Sequence, residues 1–381
     1  MTTLQGSVDG RWSPVIDAFE EGFQAGREMG ASLCVIHEGH TVIDVWAGQR
    51  DRRGSEDWQQ DTLVCCFSIS KAVTALCLLQ AVDRGLLNLD EKVTTIWPEY
   101  GAADKGATSV RQLFCHQAGL PGLHAPVERT LFFDWDASCT ALAAESPWWE
   151  PGTRHGYHAR TFGFLLGEVL RRATGVTIDE WLRSEIAGPL GADFHFGLDA
   201  AAQTRCGEMI PAKVSAGPRE LPPAMQRMIK DFTNPQTPTG AAFQNPVMRP
   251  GYMNKEDFRQ AVIPAVNGHG NARSVATILA GIPKLIANDM LTEAVRTQAH
   301  GPDEVLKSTT RFGLGLMLYE EESPIGWPGC VGHAGAGGSI GFYDPVSDTA
   351  FAFVMNQMQE GVVTGGTTAT ACIAALHEAL A

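Results

Sequence analysis

The chain has 381 residues, 44% of them hydrophobic and 19% charged, which is the composition of an ordinary globular protein of one or two domains. Its formal net charge of −14 argues against a nucleic-acid partner, because no basic stripe is available to displace the counterions of phosphate groups. The most apolar helical stretch, residues 72–82, is well short of the about 20 residues that span a bilayer, so we expect no membrane anchor.

Cysteine and histidine usage bears on the cell compartment and on metal binding. Nine cysteines without a C-x-x-C pair argue against a disulfide framework or a zinc module. His37 and His40 cross a hairpin turn and lack a third ligand. The first residues also lack the basic and apolar runs of a signal peptide. We therefore expect a cytoplasmic protein without metal or cofactor, and the sequence leaves open whether it forms a homo-oligomer.

The N-terminal part of the chain predicts a β-hairpin followed by a buried helix. Residues 30–48 contain two apolar, β-branched runs that flank a Glu-Gly turn. A further apolar run, "TLVCCFSIS", leads into "KAVTALCLLQAVDRG", which is apolar on nearly every helical face and ends at Gly85. A helix without a polar face is buried, so we expect this one to cross the centre of the protein.

The middle of the chain predicts helices and loops. A short helix in "SVRQLFCHQAGLPGL" precedes an aromatic-rich stretch at residues 131–149. In "ARTFGFLLGEVLRRATG", apolar residues recur at helical spacing until Gly175. Residues 210–252 are dense in Pro, Gly, Met and Gln, which predicts an irregular, loop-rich insertion of the kind that forms lids.

The C-terminal part returns to strands, in "RFGLGLMLYE", "GSIGFYDP" and "TAFAFVMNQ", before a closing helix from about Thr367. Strands at both ends of a helical middle predict an α+β fold whose sheet is assembled from both termini. We place the sheet domain at residues 1–100 and 270–381, and an inserted, mostly helical subdomain at residues 101–269. Ligands usually bind in the cleft between such units, so we expect the functional site there.

Ser339 is the first of two candidate nucleophiles. It lies in "GGSIG", a literal match to the G-x-S-x-G nucleophile elbow, and Asp344, Asp348 and His377 follow it in the order that a catalytic triad needs. The elbow also needs a strand, a sharp turn and then a helix. The sequence after it, "FYDPVSDTAFAFVMNQ", predicts two strands joined by a turn, which favours a serine at a strand edge.

Ser68 is the second candidate, in the S-x-x-K pattern that ends at Lys71. The three-residue spacing puts both side chains on one face of a helix, roughly 5–6 Å apart at Cβ. Such a lysine accepts the serine proton if burial lowers its pKa enough to leave the amine neutral. The free N–H groups at the start of this buried helix also favour developing negative charge. The alternative is a helix-capping serine with a lysine that reaches into solvent.

Several ordered motifs resemble the serine β-lactamase and penicillin-binding-protein superfamily, most closely its esterase branch, the family VIII carboxylesterases. "FSISKAVTALCLLQAVDRGLLNLDEKV" is similar to the S-x-x-K block, and "VRQLFCHQAGLPG" to the block that ends in H-x-x-G-L. "WEPGTRHGYH" resembles the P-G-T…Tyr block, and "RFGLGL" and "GHAGAGGS" resemble the two late blocks. The resemblance covers nearly the whole chain. It implies an α/β sandwich with an antiparallel sheet flanked by helices and an inserted helical subdomain.

The resemblance also implies roles for three residues. Ser68 is then the nucleophile, Lys71 its partner base, and Tyr157 the residue that passes the proton between the serine and the leaving group. For this role the Tyr157 phenol needs a lowered pKa, which the charge of a nearby Lys71 would provide. The family motif is Tyr-x-Asn, and Ala159 stands here in place of the asparagine. Another Tyr-x-Asn, at residues 252–254, lacks the P-G-T lead-in, and we interpret it as a chance match.

The glycine-rich late block corresponds to the Lys-Thr-Gly motif of β-lactamases. His333 stands where that motif has lysine, and a mostly neutral histidine holds a substrate carboxylate less well, which favours neutral esters. Gly335 ends the motif, and both residues are predicted to bind substrate. The resemblance further implies that the backbone N–H groups of Ala336 and Ser68 form the oxyanion hole. The glycines after Ala336 let this strand pass close to the substrate.

For several other residues, the sequence does not decide whether they line the pocket or belong to the core. His269 is a candidate for the border of the cleft, and His116 is predicted to order its loop through hydrogen bonds. Aromatic residues at high density are either core or the lining of an acyl pocket. Five of them are candidates for the pocket: Phe132, Phe133, Trp135, Trp148 and Trp149.

Three function hypotheses follow from these residues. The leading one is a serine carboxylesterase that hydrolyses small to medium neutral esters through an acyl-enzyme on Ser68, with a small-molecule ester as its partner. The second is amide hydrolysis or acyl transfer, including weak β-lactam hydrolysis, at the same site. The third is a non-enzymatic binding protein on a degenerate penicillin-recognition fold. Retention of Ser68, Lys71 and Tyr157 together argues against the third.

Overall fold

The computed structural model describes nearly the whole chain, namely residues 3–212, 223–249, 251–322, 324–359 and 365–381. Residues 213–222 and 250, which belong to the predicted insertion, lie outside the described part. Within that part, no helix combines the length and the apolar character that crossing a bilayer requires.

A nine-stranded antiparallel sheet forms the centre of the molecule, in the order β1-β3-β2-β11-β10-β9-β8-β7-β6. A separate two-stranded sheet pairs β4 with β5. The assembly of one sheet from both ends of the chain is therefore confirmed. The strands are β1 Gln5–Val8, β2 Gly30–His37, β3 His40–Gly48, β4 Val64–Cys65, β5 His269–Gly270, β6 Ala299–Pro302, β7 Thr309–Phe312, β8 Met317–Leu318, β9 Val331–Ala334, β10 Ile340–Asp344 and β11 Thr349–Met355.

Eight helices of eight or more residues occur in the described part: α1 Ser13–Gln24, α2 Ile69–Asp83, α3 Trp135–Ala144, α4 Thr161–Thr174, α5 Pro223–Phe232, α6 Ala272–Ala280, α7 Asn288–Val295 and α8 Thr367–Leu380. Shorter α-helical turns are Val93–Ile96, Val110–Phe114, Ile178–Trp181, Gly188–Leu190, Ala200–Gln203, Pro238–Gln244, Glu256–Gln260 and Ile282–Leu285. The 3-10 turns are Gly10–Trp12, Pro98–Gly101, Arg129–Phe133 and Tyr252–Asn254, and Leu182–Ala187 is a π-helical segment.

The two faces of the sheet are covered by different helices. On one face, Phe19 of α1 packs edge-on against Phe353 of β11, and α8 packs against α1. On the other face, the Ser32 hydroxyl of β2 accepts the first N–H of α6, 3.2 Å away. Side chains alternate between the faces of a strand, and Phe353 pairs with the neighbour of Ser32. The helices therefore lie on both sides of the sheet, as the predicted fold class requires.

The predicted hairpin and the predicted buried helix are both confirmed. Glu38 and Gly39 join β2 to β3 with positive φ angles of 49° and 75°, which suits the twist of a two-residue hairpin turn. Helix α2 is buried at every position from residue 69 to residue 81, because it packs between α4 and β9. It ends before Gly85, whose φ of 73° lies in the left-handed region that favours glycine.

The predicted insertion at residues 210–252 is more regular than expected. It contains α5 and the short helix Pro238–Gln244. The proline that suggested a loop occupies the first position of that short helix, where its missing N–H costs no hydrogen bond. Thr237 caps the helix by accepting the N–H of Gly240, 3.1 Å away. The boundaries of the sheet domain and the helical subdomain stay a prediction.

Candidate active site

A sharp turn between β4 and α2 presents Ser68 at the start of the buried helix. Phe67, the residue before it, has a φ of 47°, a left-handed conformation that costs a non-glycine residue about 1–3 kcal/mol. Ser70 stabilises this turn, because its hydroxyl donates to the Phe67 carbonyl and accepts the N–H of Gly268. Backbone strain of this kind is concentrated at functional sites, so the turn itself marks Ser68.

Lys71 lies one helical turn after Ser68 and is completely buried. Its Nζ is 3.2 Å from Ser68 Oγ and donates to the carbonyl oxygens of Ala159 and Ala265, at 2.8 and 2.9 Å. Burial holds the pKa of this amine well below its usual range. A neutral amine has two N–H bonds and one lone pair. With both N–H groups on the two carbonyls, the lone pair is left for the hydroxyl of Ser68.

Tyr157 packs against the same lysine, with Lys71 Nζ 4.5 Å from the centre of its ring. Burial raises the pKa of the Tyr157 phenol, and an interaction with the Ser68 side chain opposes this rise. The expectation of a lowered phenol pKa is therefore wrong. Its premise was a charged Lys71, but the same burial that keeps Tyr157 protonated also favours a neutral lysine.

Neutral histidines surround this group. His158 donates from Nδ1 to the Gly156 carbonyl, 2.6 Å away, and accepts the N–H of Leu120 at Nε2, 2.9 Å away. Burial lowers the pKa of His158 to about 3. His116 accepts the N–H of His158 at Nδ1, 3.1 Å away, a bond that joins its loop to the segment that carries Tyr157. Burial also holds the pKa of His116 well below its usual range.

The strand that carries His333 ends beside the nucleophile segment. A Cβ on Gly335 would lie 2.5 Å from the Cys66 carbonyl oxygen, so only glycine allows this close approach. His333 donates from Nδ1 to the Ala334 carbonyl, 2.7 Å away, and burial lowers its pKa to about 3. The histidine is therefore neutral near pH 7, as the sequence predicted. Its ring centre is 5.8 Å from that of Tyr157.

Ser339 lies in the turn between β9 and β10 rather than before a helix. Its side chain is fully buried, and its hydroxyl has no hydrogen-bond partner within the described residues. Its carbonyl oxygen accepts the N–H of Gly335, 2.7 Å away, which closes the turn. The strand–turn–helix context of a nucleophile elbow is absent at this serine, in agreement with the interpretation of the sequence.

A mostly apolar cavity of about 370 Å³ opens at Ser68 and Ala336. Its other lining residues are Phe67, Phe132, Ala159, Arg160, Pro211, Ala212, Phe243, Met248, Arg249, Tyr252, Met253, Phe258, Ile263, Val266 and Met358. Much of this wall belongs to the insertion, which the sequence predicted only as a lid. Of the predicted aromatic candidates, Phe132 lies on the wall.

A family model described as Beta-lactamase matches residues 15–375 of the chain. The chain belongs to the beta-lactamase family. The esterase/beta-lactamase LipL of Mycobacterium tuberculosis is 33% identical over 374 residues, which are 94% of this chain and 84% of LipL. Esterase EstB of Burkholderia gladioli is 27% identical over 190 residues, about half of each protein.

Two solved structures reproduce the fold over 99% of this beta-lactamase-family chain and 100% of their own. A family VIII carboxylesterase superimposes with a TM-score of 0.90 at 32% identity. A penicillin-binding protein homologue from Caulobacter crescentus superimposes with a TM-score of 0.88, also at 32% identity. Together with the esterase relatives, these similarities identify a serine hydrolase of this superfamily with the beta-lactamase-like fold.

None of the five residues predicted to bind substrate lines the cavity of this beta-lactamase-family chain: His333 and Gly335 belong to the β9 segment described above, and the other three pack elsewhere. Trp148 stacks on His124 and donates from Nε1 to a carbonyl 2.9 Å away. Trp149 packs edge-on against His158, behind the Tyr157 segment. His269 is buried in β5, opposite β4. Each is a packing residue in this structure, because its ring fills space between elements rather than the cleft.

The side chains of Phe133, Trp135 and Tyr252 make contacts that the sequence did not predict. Phe133 stacks on the ring of Tyr252, and Trp135 donates from Nε1 to Glu168, 2.8 Å away. The hydroxyl of Tyr252 donates to Asp257, 2.6 Å away, so it is engaged away from Ser68. The interpretation of residues 252–254 as a chance match is consistent with this contact.

Proposed function

We propose that the chain is a serine carboxylesterase that hydrolyses small to medium neutral esters through an acyl-enzyme on Ser68. The observation that carries the proposal is the 3.2 Å contact between Ser68 Oγ and the Nζ of a lysine whose pKa burial depresses. A neutral Lys71 has both N–H groups on backbone carbonyls, so its lone pair is available for the Ser68 proton. It is therefore the principal base.

In the acylation step, Lys71 takes the Ser68 proton while Oγ forms a bond to the ester carbonyl carbon. Negative charge then develops on the carbonyl oxygen. The backbone N–H groups of Ser68 and Ala336 stabilise it, an arrangement worth roughly 3–4 kcal/mol per donor in other hydrolases. Both residues line the cavity, which supports this assignment.

Tyr157 acts as the acid in the collapse of the tetrahedral intermediate. Its raised pKa keeps the phenol protonated, so it donates its proton to the departing alkoxide as the ester C–O bond breaks. The ammonium of Lys71, packed against the ring, then returns the serine proton to the phenolate. In deacylation, water replaces the alcohol and the same groups act in reverse order to release the carboxylic acid.

The cavity walls support an apolar substrate. Phe132, Phe258, Ile263 and Met358 present carbon surface, and thioethers adapt to irregular ligands. Neutral His333, in place of the lysine of true β-lactamases, removes a charge that would hold a substrate carboxylate. The loss of this charge favours neutral esters over penicillins, which carry a carboxylate, and the guanidinium of Arg160 on the cavity wall is bonded to the Phe243 and Pro246 carbonyls.

A matched substrate pair tests the reaction class. We expect kcat/KM for 4-nitrophenyl hexanoate to exceed that for the corresponding 4-nitroanilide by at least about 100-fold, with benzylpenicillin slower still. Equal rates on the ester and the anilide would support the amide-hydrolase alternative. Acylation of an added alcohol in preference to water would support the acyltransferase alternative. Absence of turnover on all of them would support a binding protein.

Filling the cavity is expected to shorten the preferred acyl chain. Met248 is a partly exposed wall residue, so Met248→Trp adds bulk to the cavity without disturbing a buried core. We expect the ratio of kcat/KM for 4-nitrophenyl hexanoate to kcat/KM for 4-nitrophenyl acetate to fall about 10-fold or more, because one or two methylene groups of the longer acyl chain no longer fit in the cavity. The matched control is Met248→Leu, for which we expect less than about a twofold change. A ratio that Met248→Trp leaves unchanged would contradict this acyl pocket.

Gly335→Ala tests the close approach of the Ala336 wall. The added Cβ would meet the Cys66 carbonyl, so the wall must move away from Ser68. We expect kcat to fall about 10- to 100-fold, because a displaced oxyanion donor stabilises the transition state less. Gly106→Ala is the control, since a Cβ there meets nothing within 4 Å. Wild-type kcat in the folded Gly335→Ala variant would refute the assignment of Ala336.

A further inference from the structure

The carboxylate of Asp303 is buried at the tip of the β6–β7 hairpin, far along the chain from Tyr157. Its Oδ1 accepts the backbone N–H of Tyr157 at 3.1 Å, as well as those of Val305 and Leu306 at 2.8 Å each. Its Oδ2 accepts the hydroxyl of Thr310 at 3.1 Å. Only 2% of the residue is exposed. The bonds to residues 305 and 306 close the hairpin turn, and the bond to Tyr157 is an additional contact with the segment that carries the phenol.

A second set of contacts ties the same segment to the same hairpin. Because the Thr310 hydroxyl donates to Asp303, it accepts from His155 Nε2, which lies 2.9 Å away. The His155 carbonyl accepts the N–H of Glu304, 3.1 Å away. Residues 155–157 are thus attached to the hairpin at both ends: the bond to the Tyr157 N–H and the link through Thr310 depend on the Asp303 carboxylate, and the backbone bond from Glu304 does not.

Gly156, the residue between these attachment points, is packed closely against its neighbours. A Cβ on Gly156 would lie 2.7 Å from the Trp149 ring and 3.1–3.2 Å from Glu304 and Val305. The backbone before Tyr157 is therefore in close contact with the hairpin. A shift of about 1 Å in a catalytic group can lower the reaction rate about 100-fold. Contacts that hold the Tyr157 backbone against the hairpin therefore affect catalysis directly.

We propose that Asp303 is a positioning residue for Tyr157, acting through the Tyr157 N–H and through Thr310 and His155. The proposal rests on the catalytic role of Tyr157 in the proposed esterase. The bonds from Val305 and Leu306 to Asp303 suffice to close the hairpin turn, so the third bond, from the Tyr157 N–H, is not needed for the hairpin itself. The buried carboxylate instead joins the late sheet strands to the loop that carries the phenol.

A double-mutant cycle tests the proposal on the full-length protein, with 4-nitrophenyl hexanoate as substrate. We expect Asp303→Ala to lower kcat about 30- to 100-fold with KM within about twofold. In the Tyr157→Phe background, the same substitution should lower kcat less than about threefold, because the group that it positions is already removed. Asp303→Asn keeps an oxygen for the three N–H donors, so we expect it to recover most of kcat.

The outcomes distinguish a failure of the positioning role of Asp303 from a failure of the proposed esterase function. Equal losses of kcat in both backgrounds would mean a purely structural role and would overturn the proposal. A Tyr157→Phe variant with wild-type kcat would overturn the proposed function instead. If Asp303→Ala does not fold, Thr310→Val removes the link to His155 with little change in volume. For that variant we expect a loss of kcat of about 3- to 10-fold that disappears in the Tyr157→Phe background, and no loss would refute the proposal.

Discussion

Ser68→Ala is expected to lower kcat for 4-nitrophenyl hexanoate by at least about 10⁴-fold, since loss of the nucleophile removes the covalent route and leaves only binding and the oxyanion donors. The substitution deletes one oxygen at the wall of a cavity, and buried Lys71 keeps its hydrogen bonds to the Ala159 and Ala265 carbonyls. We therefore expect an unchanged midpoint of thermal unfolding. The measurement is steady-state kinetics on protein whose folding is checked by circular dichroism.

Ser339→Ala is the matched control for this prediction. Its hydroxyl is buried without a partner among the described residues, so its removal costs no hydrogen bond. We expect wild-type kcat for Ser339→Ala. A variant of Ser339 that loses activity while Ser68→Ala retains it would reverse the assignment and restore the elbow interpretation of the G-x-S-x-G pattern.

Lys71→Met is expected to lower kcat by about 10³-fold or more, because a thioether of similar length cannot accept the serine proton. For the wild type, kcat/KM should fall as the pH drops through the depressed pKa of Lys71, since the ammonium that forms lacks the lone pair. Above that pKa the amine is neutral and this dependence is lost. The Lys71→Met variant should show no such acid limb in its residual activity.

Lys105 provides a matched control for a buried lysine. It too is fully buried, its Nζ donates to the carbonyl oxygens of Ala102 and Ala143 at 2.8 and 3.0 Å, and burial lowers its pKa. It also donates to the Glu145 carbonyl, bonds to no serine within the described part of the chain, and does not line the cavity. We expect Lys105→Met to lower the free energy of unfolding but not kcat. A kcat loss as large as that of Lys71→Met would show that both effects reflect folding.

The parts of the site that the sequence revealed are local or follow a family motif. The pairing of Ser68 with Lys71 follows from their spacing on one helix, and the burial of that helix follows from its missing polar face. The rise in the pKa of the Tyr157 phenol could not be predicted from the sequence, because it depends on how completely distant elements bury the phenol. From the sequence, the charge of the nearby Lys71 was the one cause of a pKa shift at Tyr157 that could be inferred.

The parts that the sequence did not reveal depend on long-range contacts. Asp303 contacts Tyr157 only because the β6–β7 hairpin folds against its loop, and "GPDEVLKS" carries no motif that announces this. Strands β1 and β6 were not predicted, since short edge strands of mixed composition lack an apolar alternation. Trp148 and Trp149 lie outside the cavity lining, and the sequence left them open because aromatic density cannot distinguish a pocket from a core.

The most direct test of the account is to locate the covalent adduct of a fluorophosphonate probe. Mass spectrometry of the digested protein would identify the modified residue after labelling near pH 7. The proposed mechanism predicts a single adduct on Ser68, formed at least about 100-fold more slowly in Lys71→Met, because the probe reacts with an activated serine. An adduct on Ser339, or a rate of labelling at Ser68 that Lys71→Met leaves unchanged, would contradict it.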